Sequence, residues 1–116
     1  MAELGKRHCV RVRKSQPAVS REDVGRFLIT VPDWHSDHLD GTNVIRRKFV
    51  LDDYTSARQF VDLVTQAAEV EDHHPQIIFC FEYVEIIYWT HVIGGLHMND
   101  FIMAAKMDEI YDNFDM

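Results

Sequence analysis

Two absences limit what this sequence can be. The chain has only two cysteines, Cys9 and Cys80, and no C-x-x-C spacing, so neither a disulfide framework nor a cysteine cluster for metal is indicated. No apolar run approaches the roughly 20 residues needed to cross a bilayer, and no apolar stretch follows the N-terminal charges as in a secretory signal. These features predict free thiols in a reducing compartment, and hence a cytoplasmic protein that could also enter the nucleus.

Internal repeats and low-complexity segments are also absent, and the 116 residues suit one domain with one hydrophobic core. The charge is uneven: residues 1–14 hold five basic residues and one acidic residue, a net charge of +4, so the remainder carries −11 of the total −7. An acidic body repels phosphate backbones, which argues against direct nucleic-acid binding. We expect residues 1–16 to form a basic, flexible tail and residues 17–116 a single domain.

The apolar pattern predicts an α+β fold in the order helix-β-β-helix-β-β-helix. The predicted helices span residues 20–30, 54–70 and 98–112, and the predicted strands span 34–39, 43–51, 77–81 and 84–91. Asp40-Gly41 is a strong hairpin signal, whereas the turn near Glu82-Tyr83 is inferred from length alone. Two hairpins would give a four-stranded antiparallel sheet with helices packed on one face.

Apolar surface is expected on the other sheet face and on the last helix. In that helix Met103, Met107, Ile110 and Phe114 recur at helical spacing. Such a stripe favours self-association, as a dimer or a tetramer, although packing in the core is the commoner explanation. The sequence leaves both interpretations open.

Three of the seven histidines are placed where they could meet. His73 and His74 lie between a predicted helix and an apolar strand, and His91 ends the partner strand. If the strands at 77–81 and 84–91 form a hairpin, His91 returns to the sheet end that holds His73 and His74. The topology therefore predicts a histidine-lined pocket at one edge of the sheet.

Three interpretations of these histidines compete. A zinc site is disfavoured because adjacent residues in an extended chain point to opposite sides, so His73 and His74 are poorly placed to share one ion. A histidine at a helix end can instead cap carbonyl groups. An imidazole with a pKa near ~6.5 can also give and take protons at neutral pH, and several around one pocket can do both in one turnover. We expect no metal ion.

A seven-position pattern resembles the signature of the pterin-4a-carbinolamine dehydratases. An acidic residue stands four before the first His of His-His-Pro, an aromatic follows six after the Pro, a His comes ten later, and an Asp nine after that. These positions are Glu69, His73, His74, Pro75, Phe81, His91 and Asp100. The resemblance covers nearly all of residues 20–112, and a pattern spread over so many positions is far more specific than a short motif.

The chain departs from the family pattern at several places. Ile77 stands where a Trp is common, Glu82-Tyr83 replaces an Asn-containing turn, and His97 stands where a Ser commonly caps the last helix. Asn99 occupies a position where the family often has Arg. These differences concern the shape of the pocket and do not affect the three histidines.

The resemblance implies loss of water from a 4a-hydroxytetrahydropterin to give quinonoid dihydropterin, a step of tetrahydrobiopterin recycling. One acid and one base suffice, so no cofactor is expected. The implied catalytic residues are His73, His74 and His91, with the roles of acid and base undivided. The implied substrate contacts are Glu69, Asp72, Trp89, Thr90, Val92 and Asp100, although surface or packing roles explain Glu69, Asp100 and Trp89 equally simply.

The resemblance also implies a function of another class. Some family members bind a homeodomain transcription factor as a dimerisation cofactor, through helical surface that otherwise closes their own oligomer. This chain could therefore act as a transcriptional coactivator, or as a pterin-binding protein without turnover. The complete set of histidines favours retained catalysis.

Overall fold

The computed structural model describes residues 4–115 and confirms the predicted order of elements. The elements are α1 (Arg21–Leu28), β1 (His35–Leu39), β2 (Thr42–Val50), α2 (Tyr54–Glu71), β3 (Gln76–Phe79), β4 (Tyr83–Tyr88) and α3 (Met98–Asp112). Short 3-10 turns cover Leu4–Lys6 and His91–Ile93. Within the described part of the chain, no helix has both the length and the apolar character that a membrane span requires.

The four strands form one antiparallel sheet in the order β1-β2-β4-β3. The first hairpin turns at Asp40 and Gly41, whose φ angles of 51° and 81° are both positive, as the tight turn that suits twisted strands requires. In the second hairpin Phe79 pairs with Val84, so the turn lies over residues 80–83. Strand β4 ends at Tyr88, three residues earlier than expected, and His91 begins a 3-10 turn instead.

The hydrophobic core lies between one sheet face and the helices, as predicted. Alternate residues of β2 and β4 supply the sheet side, because side chains alternate between the faces of a strand. The fully buried members are Ile45, Phe49, Val84, Ile86 and Tyr88 from the sheet, Ala57, Phe60 and Val64 from α2, and Phe101, Met103, Ala104 and Met107 from α3. Helix α1 joins the same core, with the Phe27 ring edge-on to Phe101 at 5.3 Å between centroids.

Arg47 interrupts the apolar alternation on the core face of β2. Its Nη1 donates to Asp108 Oδ1 at 2.6 Å, and the indole of Trp34 donates to the same oxygen at 2.8 Å. The guanidinium also lies 4.3 Å from the centre of the Phe49 ring. Burial raises the pKa of Asp108, although both donors oppose this shift. The charge of Arg47 is thus paired at the margin of the core.

The apolar stripe of α3 faces the core. Met103 and Met107 are 0% exposed, and Ile110 and Phe114 are half-buried against the same cluster. The expectation that this stripe leaves surface for association is therefore wrong for the two methionines. The opposite sheet face was also expected to be apolar. Near its centre, however, it carries an ion pair between Arg46 and Glu85.

One group of exposed apolar side chains lies near the strand ends beside the second hairpin. Its members are Val50, Tyr54, Phe79 and Phe81. The Tyr54 and Phe79 rings stack at 4.8 Å between centroids. We call this surface the hairpin-end patch. Because it exposes apolar side chains, self-association of the chain remains a prediction.

Residues 4–10, which the sequence predicts to be part of a flexible tail, contact the core and two helices. Leu4 is 2% exposed and belongs to the core. The Cys9 amide donates to Glu71 Oε1 at 2.7 Å, and the Asn99 side chain binds both backbone groups of Val10, at 3.0 Å and 2.7 Å. The segment lacks apolar periodicity, so these long-range partners on α2 and α3 had no signal in the sequence.

Candidate active site

The end of α2 sets the directions of the two adjacent histidines. Asp72 adopts a left-handed conformation with φ 51° and ψ 42°, and the amides of Asp72 and His73 bond back to carbonyls of the last helical turn. Pro75 then favours extended backbone before β3. The Nε2 atoms of His73 and His74 consequently meet different carboxylates, those of Asp100 and Glu69.

His73 is the buried member of the histidine set. Its side chain is 12% exposed, and its Nε2 lies 2.6 Å from Asp100 Oδ1. The ring stacks on Tyr88 at 5.2 Å between centroids, and the Tyr88 hydroxyl donates to the His73 carbonyl at 3.0 Å. An ionised carboxylate only accepts hydrogen bonds, so Asp100 favours a proton on Nε2 of His73. The stacking and the two hydrogen bonds thereby hold the His73 ring in position.

Asp100 is fully buried at the start of α3 and has partners for both oxygens. While Oδ1 meets His73, Oδ2 accepts hydrogen bonds from the Thr90 hydroxyl and the His97 amide, each at 2.9 Å. His97 in turn accepts a hydrogen bond from the Asn99 amide through Nδ1. Burial and the nearby His73 lower the pKa of His97, against the effect of Asp100. A neutral imidazole therefore caps this helix, at the position where Ser is common in the family pattern.

His74 and His91 are the accessible members of the set. The His74 side chain is 57% exposed, with its Nε2 3.0 Å from Glu69 Oε1. His91 is also exposed, and its ring lies 4.5 Å from that of Trp89. Both imidazoles can therefore exchange protons with solvent and with a bound molecule.

All three histidines line one open cavity of about 1190 Å³. Asp72, Thr90 and Val92 line it with them, whereas Glu69 is joined to His74 and Asp100 lies beneath His73. Trp89 packs against His91. A second cavity of about 580 Å³ lies between α2 and α3 and has no histidine in its lining. The predicted meeting of the histidines is thus present in the geometry.

The structure adds residues that sequence reasoning missed. Tyr88 packs beneath His73, Glu71 and Asn99 hold the N-terminal segment, and residues 9–14 line the cavity. Asn99 had one signal, since it departs from the family pattern beside Asp100. The other residues contact partners more than 14 positions away in the chain, so the sequence held no signal for them.

The arrangement gives no shared metal position for His73 and His74, since their Nε2 atoms face separate carboxylates. Glu69, Asp72 and His74 do offer ligand atoms within 4.8 Å of one another. All three residues are exposed, and such acidic groups are common on protein surfaces without an ion. The buried part of the site is the His73–Asp100 pair, which holds one imidazole in a set orientation, whereas the imidazoles of His74 and His91 are accessible.

Comparison with known proteins gives a consistent result. The family model described as pterin 4 alpha carbinolamine dehydratase matches residues 17–110. A Marinobacter nauticus protein provisionally named pterin-4-alpha-carbinolamine dehydratase is 38% identical over 111 residues, covering 96% of this chain and 100% of that protein. A Chlorobium luteolum protein with the same provisional name is 35% identical, covering 96% of this chain and 97% of its own.

Two solved structures share the fold. The transcriptional coactivator/pterin dehydratase from Brucella melitensis has a TM-score of 0.73 and 28% identity, covering 81% of this chain and 98% of that chain. A pterin dehydratase-like protein identified as a RuBisCO assembly factor in the alpha-carboxysome has a TM-score of 0.58 and 24% identity, covering 68% and 89%. The second likeness concerns the fold alone.

Proposed function

Because this chain belongs to the pterin-4a-carbinolamine dehydratase family, we propose that it removes water from a 4a-hydroxytetrahydropterin to give quinonoid dihydropterin, as in tetrahydrobiopterin recycling. The observation that carries the proposal is the single cavity lined by His73, His74 and His91, with a buried carboxylate behind His73. Both required proton transfers can be made by imidazoles near neutral pH. The proposal requires no metal ion or cofactor.

The reaction divides between an acid and a base. A protonated imidazole gives its proton to the C4a hydroxyl, the C–O bond breaks, and water leaves. A neutral imidazole takes the proton of N5, whose electron pair forms the new double bond to C4a. The exposed His74 and His91 perform these two transfers and are reset by solvent. His73 is held by Asp100 and orients the substrate between the other two histidines.

The remaining site residues would hold the pterin. Asp72, Thr90 and Val92 lie on the cavity wall and offer backbone groups to a heterocycle. Glu69 would orient His74, Trp89 would support His91, and Asp100 would orient His73. The two cysteines are unpaired, in keeping with a reducing, cytoplasmic setting for the reaction.

The proposed function is tested by assaying dehydration of freshly generated carbinolamine with His74→Ala and His91→Ala. Each variant should lose about 10²-fold or more in kcat, the usual contribution of a positioned acid or base. Both side chains are exposed, so far-UV circular dichroism and Tm should stay unchanged. His38→Ala, an exposed histidine on β1, is the matched control and should retain full activity. Turnover near wild type in both active-site variants would contradict the proposal, as would loss of activity in chelator.

A second candidate function, binding a protein partner as a coactivator, has one favouring observation. The hairpin-end patch exposes apolar side chains, including Phe81 at 64%, and the Brucella melitensis relative is described as a transcriptional coactivator. The same patch could instead close a dimer or a tetramer of this chain. Phe81→Glu should abolish partner binding or self-association in sedimentation experiments while leaving dehydration intact. An unchanged sedimentation profile and unchanged partner capture would contradict both uses of the patch.

A further inference from the structure

One wall of the histidine cavity has no part in the proposed proton transfers. It is formed by the strap, defined here as residues 8–14. Arg11, Arg13 and Lys14 of the strap line the cavity that also holds the three histidines, and all three are exposed. Within residues 4–115, none of these cations lies within 4.0 Å of a carboxylate oxygen.

The strap is attached at both ends. At its start, His8 Nδ1 lies 2.7 Å from Glu71 Oε2, the Cys9 amide donates to Glu71 Oε1, and the Asn99 side chain binds the Val10 backbone. Beyond its end, Gln16 closes a turn onto Arg13, with bonds of 2.6 Å and 3.0 Å. The amide of Val19 then donates to the Leu96 carbonyl at 2.8 Å. The backbone that carries the three cations is therefore anchored beside the cavity.

The acidic groups nearby do not neutralise the strap cations. The Glu71 side chain is only 6% exposed, and its two oxygens are taken by His8 and the Cys9 amide. Asp72 is exposed on the cavity wall, where its Oδ1 lies 4.0 Å from His74 Nδ1. Three cations without a carboxylate partner thus face two exposed carboxylates, those of Asp72 and of Glu69 beside it, in a chain whose formal net charge is −7. Such a local excess of positive charge attracts anions.

We propose that the strap selects a substrate with an anionic side chain, namely a pterin whose C6 substituent carries a phosphate. The guanidinium groups of Arg11 and Arg13 would bind phosphate oxygens in pairs, and Lys14 would add a point charge. The pterin ring would lie against the histidines. This inference rests on the proposed function, because it places the ring in the same cavity.

Fluorescence titration tests the inference directly, since oxidised pterins fluoresce and do not turn over. The ligands are 6-hydroxymethylpterin, its monophosphate and pterin-6-carboxylate. The wild-type protein should bind the monophosphate at least tenfold more tightly than the neutral pterin, with the carboxylate between them. Inorganic phosphate should compete with the monophosphate but not with the neutral ligand, and 1 M salt should reduce the preference.

A triple variant with Arg11, Arg13 and Lys14 all changed to Gln should lose at least tenfold in affinity for the monophosphate and less than twofold for the neutral pterin. The matched control changes Lys6, Arg7 and Arg21 to Gln, an equal loss of charge on exposed residues that do not line the cavity. The control should keep the preference.

Equal affinity of the wild type for neutral and phosphorylated pterin would overturn the inference, as would equal losses in the variant and its control. If neutral carbinolamine is dehydrated without any preference for the anion, only the inference fails. If no pterin binds and no dehydration occurs, the proposed function fails with it.

Discussion

Asp100 Oδ1 lies 2.6 Å from His73 Nε2, and the Asp100 side chain is completely buried. A carboxylate in such a position is tolerated because His73, Thr90 and the His97 amide together satisfy both of its oxygens. The pair couples the start of α3 to the end of α2. It therefore links the stability of the fold to the orientation of an imidazole in the proposed active site.

Asp100→Asn should lower both activity and stability. The neutral amide cannot accept from all three donors, so either His73 changes tautomer or a buried donor stays unpaired. We expect a loss of at least tenfold in kcat with a smaller change in KM, and a loss of about 3 kcal/mol in the free energy of unfolding. Thr90→Val, which removes one donor only, should cost about 1 kcal/mol and shift the pH profile of kcat less. Wild-type kinetics in Asp100→Asn would refute a positioning role.

Acid stability should depend on Glu85. Arg46 holds this carboxylate with two bonds, of 2.9 Å and 3.0 Å, and thereby lowers its pKa from the ordinary 4.5. Because the folded pKa lies below the unfolded one, the contribution to stability is complete above the unfolded pKa and is lost as the pH falls through the folded pKa. Glu85→Gln should cost about 1 kcal/mol at neutral pH and nothing below the folded pKa.

Urea unfolding at neutral pH and at a pH below the folded pKa of Glu85 measures this difference. The control is Glu82→Gln, on the exposed turn of the second hairpin. A deficit of Glu85→Gln that stays constant between the two pH values would rule out ionisation of Glu85 as its source.

Cys9 should report whether the strap is docked. Burial, followed by the charges of Glu71 and Asp100, raises the pKa of its thiol to about 12. The thiolate is the reactive form, so a thiol reagent at pH 8 should modify Cys9 slowly in the folded protein. In a Cys80→Ser background, Asn99→Ala should accelerate the reaction at least tenfold, because the Val10 backbone loses both bonds to α3.

Asn113→Ala is a matched control for the thiol experiment, since Asn113 lies at the far end of α3 and its side chain donates to the Glu109 carbonyl. Its Cys9 should react at the wild-type rate. Fast modification of Cys9 in the unaltered strap would show that residues 8–10 are not held as described.

The order of helices and strands could be predicted from the sequence because the helix caps, the turn residues and the apolar pattern all indicate the same elements. Ser20 and Asp53 cap α1 and α2 through their side chains, and Asp40-Gly41 forms the first turn as expected. The end of β4 was misplaced because the apolar run continues past Tyr88, while the chain turns away to form the Thr90–Gly95 bridge. The pattern of apolar side chains therefore does not indicate where the backbone hydrogen bonds between strands end.

The candidate site was predictable only in part. Hairpin topology and spacing suffice to bring His91 to the end of the sheet that holds His73 and His74. The depth of each residue was not predictable, because it depends on packing: His73 lies over Tyr88 and Asp100, whereas His74 stays in solvent. The strap could not be predicted because its bonds to Glu71 and Asn99 join residues 62 and 89 positions apart.

The attachment of residues 4–10 has a practical consequence for recombinant work. The family match begins at residue 17, so expression boundaries chosen from it would delete the strap together with Leu4. Such a fragment would uncover the core where Leu4 packs and would leave the Glu71 carboxylate without His8 and the Cys9 amide. A poor yield or weak activity of that fragment would then reflect the missing residues and not a property of the full chain.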